Sequence, residues 1–147
     1  MKPSTALKFV SCAGLLFPVV VIALEIAQPK LGLWEMRAQK SYDGAPLTVA
    51  GTTQICVNAV ELESSKKILE EVVSKNCSKN EVRKEGGKWI MDSVCKISGA
   101  PYSGQMTREF NGENAYRDDT TLTYNPPLGG HSRVHVAMDG RWLGPCK

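Results

Sequence analysis

The sequence lacks the short motifs that mark common enzyme and nucleotide-binding classes. It contains no nucleophile elbow, no phosphate-binding glycine loop and no dinucleotide fingerprint. Its only histidines are His131 and His135. Residues four apart on a strand are separated by ~13 Å at ~3.3 Å per residue, too far for both to bind one metal ion. We therefore predict no catalytic residue, no cofactor and no metal site.

The chain also lacks a strong excess of charge of one sign. Its formal net charge is +3, but Lys2 and Lys8 belong to a separable N-terminal segment. Without residues 1–23 the chain has 16 basic and 15 acidic side chains. Nucleic acids and anionic lipids are bound mainly by clustered positive charge, so we expect no nucleic acid as a partner.

No apolar run is long enough for a typical transmembrane helix. Residues 9–23 form a 15-residue uncharged stretch containing Pro18, whereas a spanning helix needs about 20 apolar residues. The lysines before it, and Val21 and Ala23 at its end, are typical of a secretory signal peptide. We predict a signal peptide at residues 1–23 and a mature chain that begins at Leu24. After cleavage the protein has no stable membrane anchor and is periplasmic or secreted. An uncleaved anchor and a cut after Ala27 are the alternatives.

The cysteines lack the spacing of a zinc site. Cys12 lies within the predicted signal, and Cys56, Cys77, Cys95 and Cys146 follow it at intervals of 21, 18 and 51 residues. Zinc sites usually contain close pairs of cysteines. An even number of cysteines in an exported chain instead predicts two disulfides.

A predicted hairpin indicates how these cysteines pair. The paired glycines of residues 85–88 accept the positive φ angles of a tight turn, so facing residues have numbers that add up to about 173. Cys77 and Cys95 face each other to within one residue, and a bulge or a three-residue loop removes the offset. Of the three pairings that four cysteines allow, we predict Cys77–Cys95 and, by elimination, Cys56–Cys146.

Most of the chain after residue 23 alternates between apolar and polar residues, which predicts β-structure. The predicted strands are 33–40, 47–57, one that starts at about 77, 88–98, 102–110, 115–124 and 131–138. Asn58 and Glu61 resemble a helix N-terminal box, and the apolar spacing that follows predicts a helix of about two to four turns over an open face of the sheet. The predicted fold is mainly β, an antiparallel meander curled toward a half-barrel, with one short helix after the second strand. Residues 24–147 form a single disulfide-stabilised domain.

Five large side chains are candidates for the lining of a ligand site. They lie at inward-facing positions of the predicted strands: Trp34, Met36, Trp89, Met91 and Met106. Methionine-rich surfaces adapt to varied ligands, but methionines and tryptophans also fill ordinary cores. Both alternatives stay open at this point.

Asp118 and Asp119 form an adjacent acidic pair, but neighbours on a strand point to opposite faces and make a poor catalytic dyad. We expect them on a solvated surface.

Several segments together resemble a known family of exported bacterial proteins, the domain of unknown function 3617. Residues 29–35 resemble its Pro-Gly-Leu-Trp-Glu opening, and residues 140–146 match its Gly-Arg-x-x-Gly-x-Cys ending. Between them, residues 52–58, 77–95 and 102–106 resemble its cysteine-ended strand, its cysteine-bracketed hairpin and its glycine-containing strand. Leu31 replaces the usual proline, and the helical region is more charged than is typical. The resemblance implies an oxidising compartment and brings no established activity.

Three functions are compatible with these observations. The first is a small exported non-enzymatic protein that serves as a periplasmic interaction or binding module, with an unknown protein or small apolar ligand as its partner. The alternative is a lipocalin-like carrier of a small apolar ligand. A hydrolase that uses Asp118, Asp119 or His135 ranks last.

Overall fold

A computed structural model describes residues 27–147. The predicted signal peptide and its cleavage site lie outside the described residues. The described chain forms seven strands and one helix, which confirms the mainly β fold and the helix after the second strand. The elements are β1 (Gly32–Tyr42), β2 (Thr48–Val57), α1 (Ala59–Asn76), β3 (Cys77–Glu85), β4 (Lys88–Ile97), β5 (Ala100–Phe110), β6 (Ala115–Leu128) and β7 (His131–Gly144).

All seven strands belong to one antiparallel sheet with the order β2-β1-β7-β6-β5-β4-β3. Strands β3 to β7 form a continuous meander, and the β1–β2 hairpin joins it because β1 pairs with β7. β2 and β3 are the two edges, so the sheet is not closed. They are consecutive in the chain, and α1 connects one edge of the sheet to the other.

Three elements are longer than predicted by four residues or more, while β1 and β5 are longer by only two or three. Helix α1 has 18 residues, about five turns, whereas two to four were predicted. β7 continues from residue 139 to Gly144 because this segment pairs with β1, a long-range contact that the local pattern around Gly140 does not reveal. β6 continues to Leu128, although its pairing with β7 is irregular after Thr123. β6 therefore includes residues 125–128, which lie outside the predicted strand 115–124.

The register defines two chemically different faces, since directly paired residues of antiparallel strands project to the same side. One face carries Trp34, Met36, Met91 and Met106, and we call it the inner face because α1 lies against it. The other, the outer face, carries most of the sheet's ion pairs. These include Lys88–Glu109, Arg117–Asp139 and Arg141–Glu35. The predicted inward phase of β1 and β4 is confirmed.

The core lies at the end of the inner face where β1, β6 and β7 meet. Trp34 is 1% exposed and packs with Met36 and Tyr116, whose hydroxyl donates to the Met36 sulfur over 3.3 Å. Gly140 faces Tyr116 from β7, and a Cβ there would lie 2.5 Å from the ring. The tyrosine can lie flat on the β7 backbone only because this residue is a glycine.

Candidate functional site

The two segments that carry the family resemblance meet in space. The opening lies on β1 and the ending on β7, where Leu33 pairs with Gly144 and Glu35 pairs with Arg141. Trp34 Nε1 donates to the Lys30 carbonyl over 2.7 Å, which fixes the chain as it enters β1. Trp34 therefore has a structural role in the core.

Gly32 and Trp142 form the second contact between these segments. Trp142 Nε1 donates to the Leu31 carbonyl over 3.1 Å, and the Lys30 ammonium lies 3.9 Å from the centre of the Trp142 rings. Gly32 has a φ of 138°, and a Cβ there would lie 2.2 Å from Trp142 Nε1. A glycine is therefore required where the opening crosses the ending.

Both disulfides join the pairs that the sequence predicted. Cys56 and Cys146 are bonded with a Cα separation of 5.6 Å, and this bond ties the carboxyl end of the chain to β2. Cys77 and Cys95 are bonded across the β3–β4 hairpin with a Cα separation of 3.9 Å. A register shift between Cys77 and Lys79 supplies the expected bulge.

The adjacent acids Asp118 and Asp119 point to opposite faces. Asp119 lies on the outer face, where Arg117 donates to it over 2.8 Å and His135 Nε2 lies 3.2 Å from its Oδ1. Burial would raise the pKa of Asp119, but the hydrogen bonds and charges of Arg117 and His135 outweigh it and lower that pKa. Asp118 is 3% exposed on the inner face, so its predicted place on a solvated surface was wrong.

The two histidines contact different carboxylates. His131 Nδ1 lies 2.8 Å from Asp43 Oδ2, while His135 is paired with Asp119. Asp43 Oδ1 also accepts hydrogen bonds from the backbone amides of Ser132 and Arg133, each over 2.9 Å. Within residues 27–147, no three potential metal-ligating side chains cluster.

A cleft of about 300 Å³ lies between α1 and the inner face of the sheet. Its apolar walls are formed by two leucines of the helix and two methionines of the sheet, and polar side chains surround them. The full set is Leu62, Leu69, Met91, Met106, Gln28, Ser65, Lys66, Glu70 and Arg108.

The cleft exists because α1 packs loosely on the sheet. The helix contacts β3 and β4, and none of its residues is buried. Leu62 and Leu69 share the sheet-facing side of the helix, yet Leu69 remains 42% exposed. The apolar side of α1 and the inner face of the sheet are therefore only partly covered by each other.

Arg108 is the one cationic side chain of the sheet in the cleft wall, and Asp118 holds it in place. Its Nε and Nη2 donate to the two oxygens of Asp118, each over 2.7 Å. The guanidinium lies 4.8 Å from the centre of the Tyr116 ring. Burial alone would lower the pKa of Arg108, but the hydrogen bonds and charge of Asp118 outweigh it and raise that pKa. The arginine is charged and rigidly oriented.

The five predicted lining residues divide into three groups. Met91 and Met106 face each other on β4 and β5 and line the cleft. Trp34 and Met36 lie in the core, where they are too buried to contact a ligand. Trp89 lies on the inner face opposite Arg108 but does not line the cleft.

The sequence prediction missed seven of the nine cleft residues, among them Leu62, Leu69 and Arg108. The two leucines are seven residues apart, the spacing that places side chains on one helix face. Arg108 lies two residues from Met106 and from Phe110 on β5, so the strand alternation already placed it on the inward side. An inward-facing arginine among apolar residues was the available signal.

Comparison with known proteins identifies a family but no activity. The family described as "Protein of unknown function (DUF3617)" matches residues 28–146, and the chain belongs to this family. No curated protein and no solved structure is significantly similar to the chain. Among the described residues, no helix is both long and apolar enough to cross a membrane.

Proposed function

We propose that this protein, a member of a family without an assigned activity, is a non-enzymatic binding protein of the bacterial periplasm or exterior. Its binding site is the cleft between α1 and the inner face. The observation that carries this proposal is the partly uncovered pair Met91 and Met106, which lies under a helix that buries none of its own residues. Mostly apolar clefts with a few placed polar groups are the usual form of small-ligand sites.

The chemistry of the acidic residues supports binding over hydrolysis. Asp118 accepts two hydrogen bonds from Arg108, and Asp119 is held by Arg117 and His135 on the opposite face. Neither carboxylate is free to act as a base next to the cleft. The two disulfides support an exported location, because such bonds persist mainly in oxidising compartments.

The shape of the sheet favours a surface cleft over a lipocalin-like cup. A lipocalin encloses its ligand in a closed barrel, whereas the sheet of residues 27–147 is open and ends at the edge strands β2 and β3. If the protein carries a small apolar ligand, the ligand therefore lies under α1 and not inside a barrel.

A protein partner is the second candidate, and the β2 edge favours it. β3 carries lysine, arginine and glutamate, which commonly protect an edge from pairing with other chains. β2 contains no charged residue, and Val49 and Ile55 are exposed on it. An extended segment of another protein would add to the sheet at this edge.

Titration with a neutral apolar dye, N-phenyl-1-naphthylamine, tests the binding site. We expect saturable fluorescence enhancement in the wild-type protein. Leu69→Glu places a charge in the cleft and should abolish the enhancement, whereas Ile68→Glu should not. Ile68 is the next residue of α1, is 62% exposed and does not line the cleft.

The two variants form a matched pair, because both add a carboxylate to the same turn of an exposed helix. Equal dye binding by both variants, or none by the wild type, would exclude the cleft as the site. Val49→Lys tests the second candidate, since a lysine on β2 should release a protein partner retained from the native host without affecting dye binding.

A further inference from the structure

We infer that the cleft selects small apolar molecules that carry one oxygen acceptor, a carboxylate or a carbonyl, and that Arg108 donates the selecting hydrogen bond. This inference rests on the proposed binding function and names its ligand class. Three observations support it: the fixed orientation of Arg108, its guanidinium nitrogen Nη1, which does not bond to Asp118, and the balance of charge around the cleft.

Arg108 is oriented before any ligand arrives. Its bidentate contact with Asp118 uses Nε and Nη2, and the Tyr116 ring lies 4.8 Å from the guanidinium. Only 17% of the Arg108 side chain is exposed, and only 5% of the Asp118 side chain. A donor held in this way loses little conformational entropy when it binds a ligand.

Among residues 27–147, the third guanidinium nitrogen, Nη1, donates no hydrogen bond, whereas Nε and Nη2 both donate to Asp118. Arg108 lines the cleft beside Met106, and 17% of its side chain is exposed. An apolar slot with a fixed donor matches a ligand with an apolar body and an acceptor at one end.

The charges around the cleft nearly cancel. Arg108 is neutralised by Asp118, and Lys66 and Glu70 contribute one charge of each sign at the rim. The electrostatic field therefore does not demand an anion, and the chemistry shared by the ligands is the acceptor oxygen. The volume of about 300 Å³ is at the lower end for ligand sites, which suits a small molecule better than a protein segment.

A ligand series tests the inference on the wild-type protein. The three ligands have apolar chains of similar length: octanoate ends in a carboxylate, 2-nonanone carries a carbonyl, and nonane has no acceptor. Each ligand is used to displace N-phenyl-1-naphthylamine from the protein. Hydrogen bonds to charged groups contribute ~1.5–3 kcal/mol, so the acceptor-bearing ligands should displace the dye at concentrations at least about tenfold lower than nonane. Preference for octanoate alone identifies a carboxylate ligand, and equal preference for the ketone identifies a neutral carbonyl.

Equal displacement by all three ligands would overturn the inference while leaving the binding function intact. Failure of the dye to bind at all would instead overturn the proposed function. The two failures are therefore distinguishable in one experiment.

A double variant tests the role of Arg108 directly. Arg108→Gln alone would leave the buried Asp118 unpaired and is expected to destabilise the protein strongly, so the variant combines Arg108→Gln with Asp118→Asn. In the same dye-displacement series, this protein should lose the roughly tenfold preference for acceptor-bearing ligands. The control is Arg117→Gln on the outer face, and this variant should keep the preference for acceptor-bearing ligands. Retained preference in the double variant would overturn the assignment.

Discussion

Arg141 Nη2 donates to Glu35 Oε1 over 2.9 Å, which joins the two segments that define the family resemblance. Glu35 belongs to the opening on β1 and Arg141 to the ending on β7, and the two are directly paired in the sheet. The neighbouring Trp34 and Trp142 are also paired across these strands. The residues that carry the resemblance therefore join the first and last strands of the described chain, while the cleft lies elsewhere on the inner face.

Gly32→Ala should destabilise the protein strongly. The substitution adds a Cβ 2.2 Å from Trp142 Nε1 at a φ of 138°. We expect a loss of about 2 kcal/mol or more in the free energy of unfolding, measured by urea denaturation. Gly44→Ala is the matched control, because Gly44 also has a positive φ, 84°, but has no atom within 4 Å of a built Cβ. Its cost should be about 1 kcal/mol. Equal losses would show that the close approach of Trp142 and of the Gly144 carbonyl oxygen does not matter.

The long disulfide should stabilise the protein more than the short one. Cys56–Cys146 closes a loop with a sequence separation of 90, and Cys77–Cys95 one of 18. On the chain-entropy account these loops are worth about 4–5 and about 3 kcal/mol, respectively. Replacing each pair by serines and measuring urea denaturation tests this order. A larger loss from the hairpin pair would contradict the entropic explanation, and non-reducing peptide mapping checks the pairing itself.

Local patterns were sufficient to predict much of the fold. The alternation around Trp34 and around Met91 placed these residues on the inward face, and Asn58 caps α1 as expected, with its side chain accepting from the Glu61 amide over 2.9 Å. Hairpin geometry also predicted the Cys77–Cys95 bond to within one bulge. In each case the structure is determined by residues close together in the sequence, through strand alternation, helix capping or the geometry of a tight turn.

Long-range pairing set the features that could not be predicted. β7 continues past Gly140 because β1 accepts it, and no residue near Gly140 signals this contact. Asp118 was expected on a solvated surface together with Asp119, but Arg108 on the adjacent strand compensates its burial. The cleft likewise depends on how α1 crosses the sheet, which is not encoded in the spacing of Leu62 and Leu69 alone.

Asp118→Ala should destabilise the protein far more than the same change at the next residue. It removes the partner of Arg108 on the inner face and leaves a largely buried guanidinium unpaired. The expected loss is about 3–5 kcal/mol. Asp119→Ala removes exposed ion pairs on the outer face and should cost less than about 1 kcal/mol. Urea denaturation of both variants measures the difference, and similar losses would mean that Arg108 and Asp118 are well solvated.

Asp43 should contribute stability that depends on pH. Its hydrogen bonds with His131 and with the backbone amides of Arg133 and Ser132 lower its pKa. A carboxyl whose pKa is lower in the folded state stabilises the protein above its unfolded pKa of about 3.9, and the contribution disappears as the pH falls through the folded value. Wild type should therefore be more stable than Asp43→Asn at neutral pH, and the difference should shrink below about pH 4.

The difference between wild type and variant isolates Asp43, because the other carboxylates titrate in both proteins. Denaturation with urea at several pH values between about 2 and 7 follows it. Glu113→Gln is the control for the loss of one negative charge, since Glu113 is an exposed carboxylate that forms no ion pair among residues 27–147. A constant difference between wild type and Asp43→Asn over the whole range would mean that the contact with His131 and the two amides acts through shape alone, and not through the charge of Asp43.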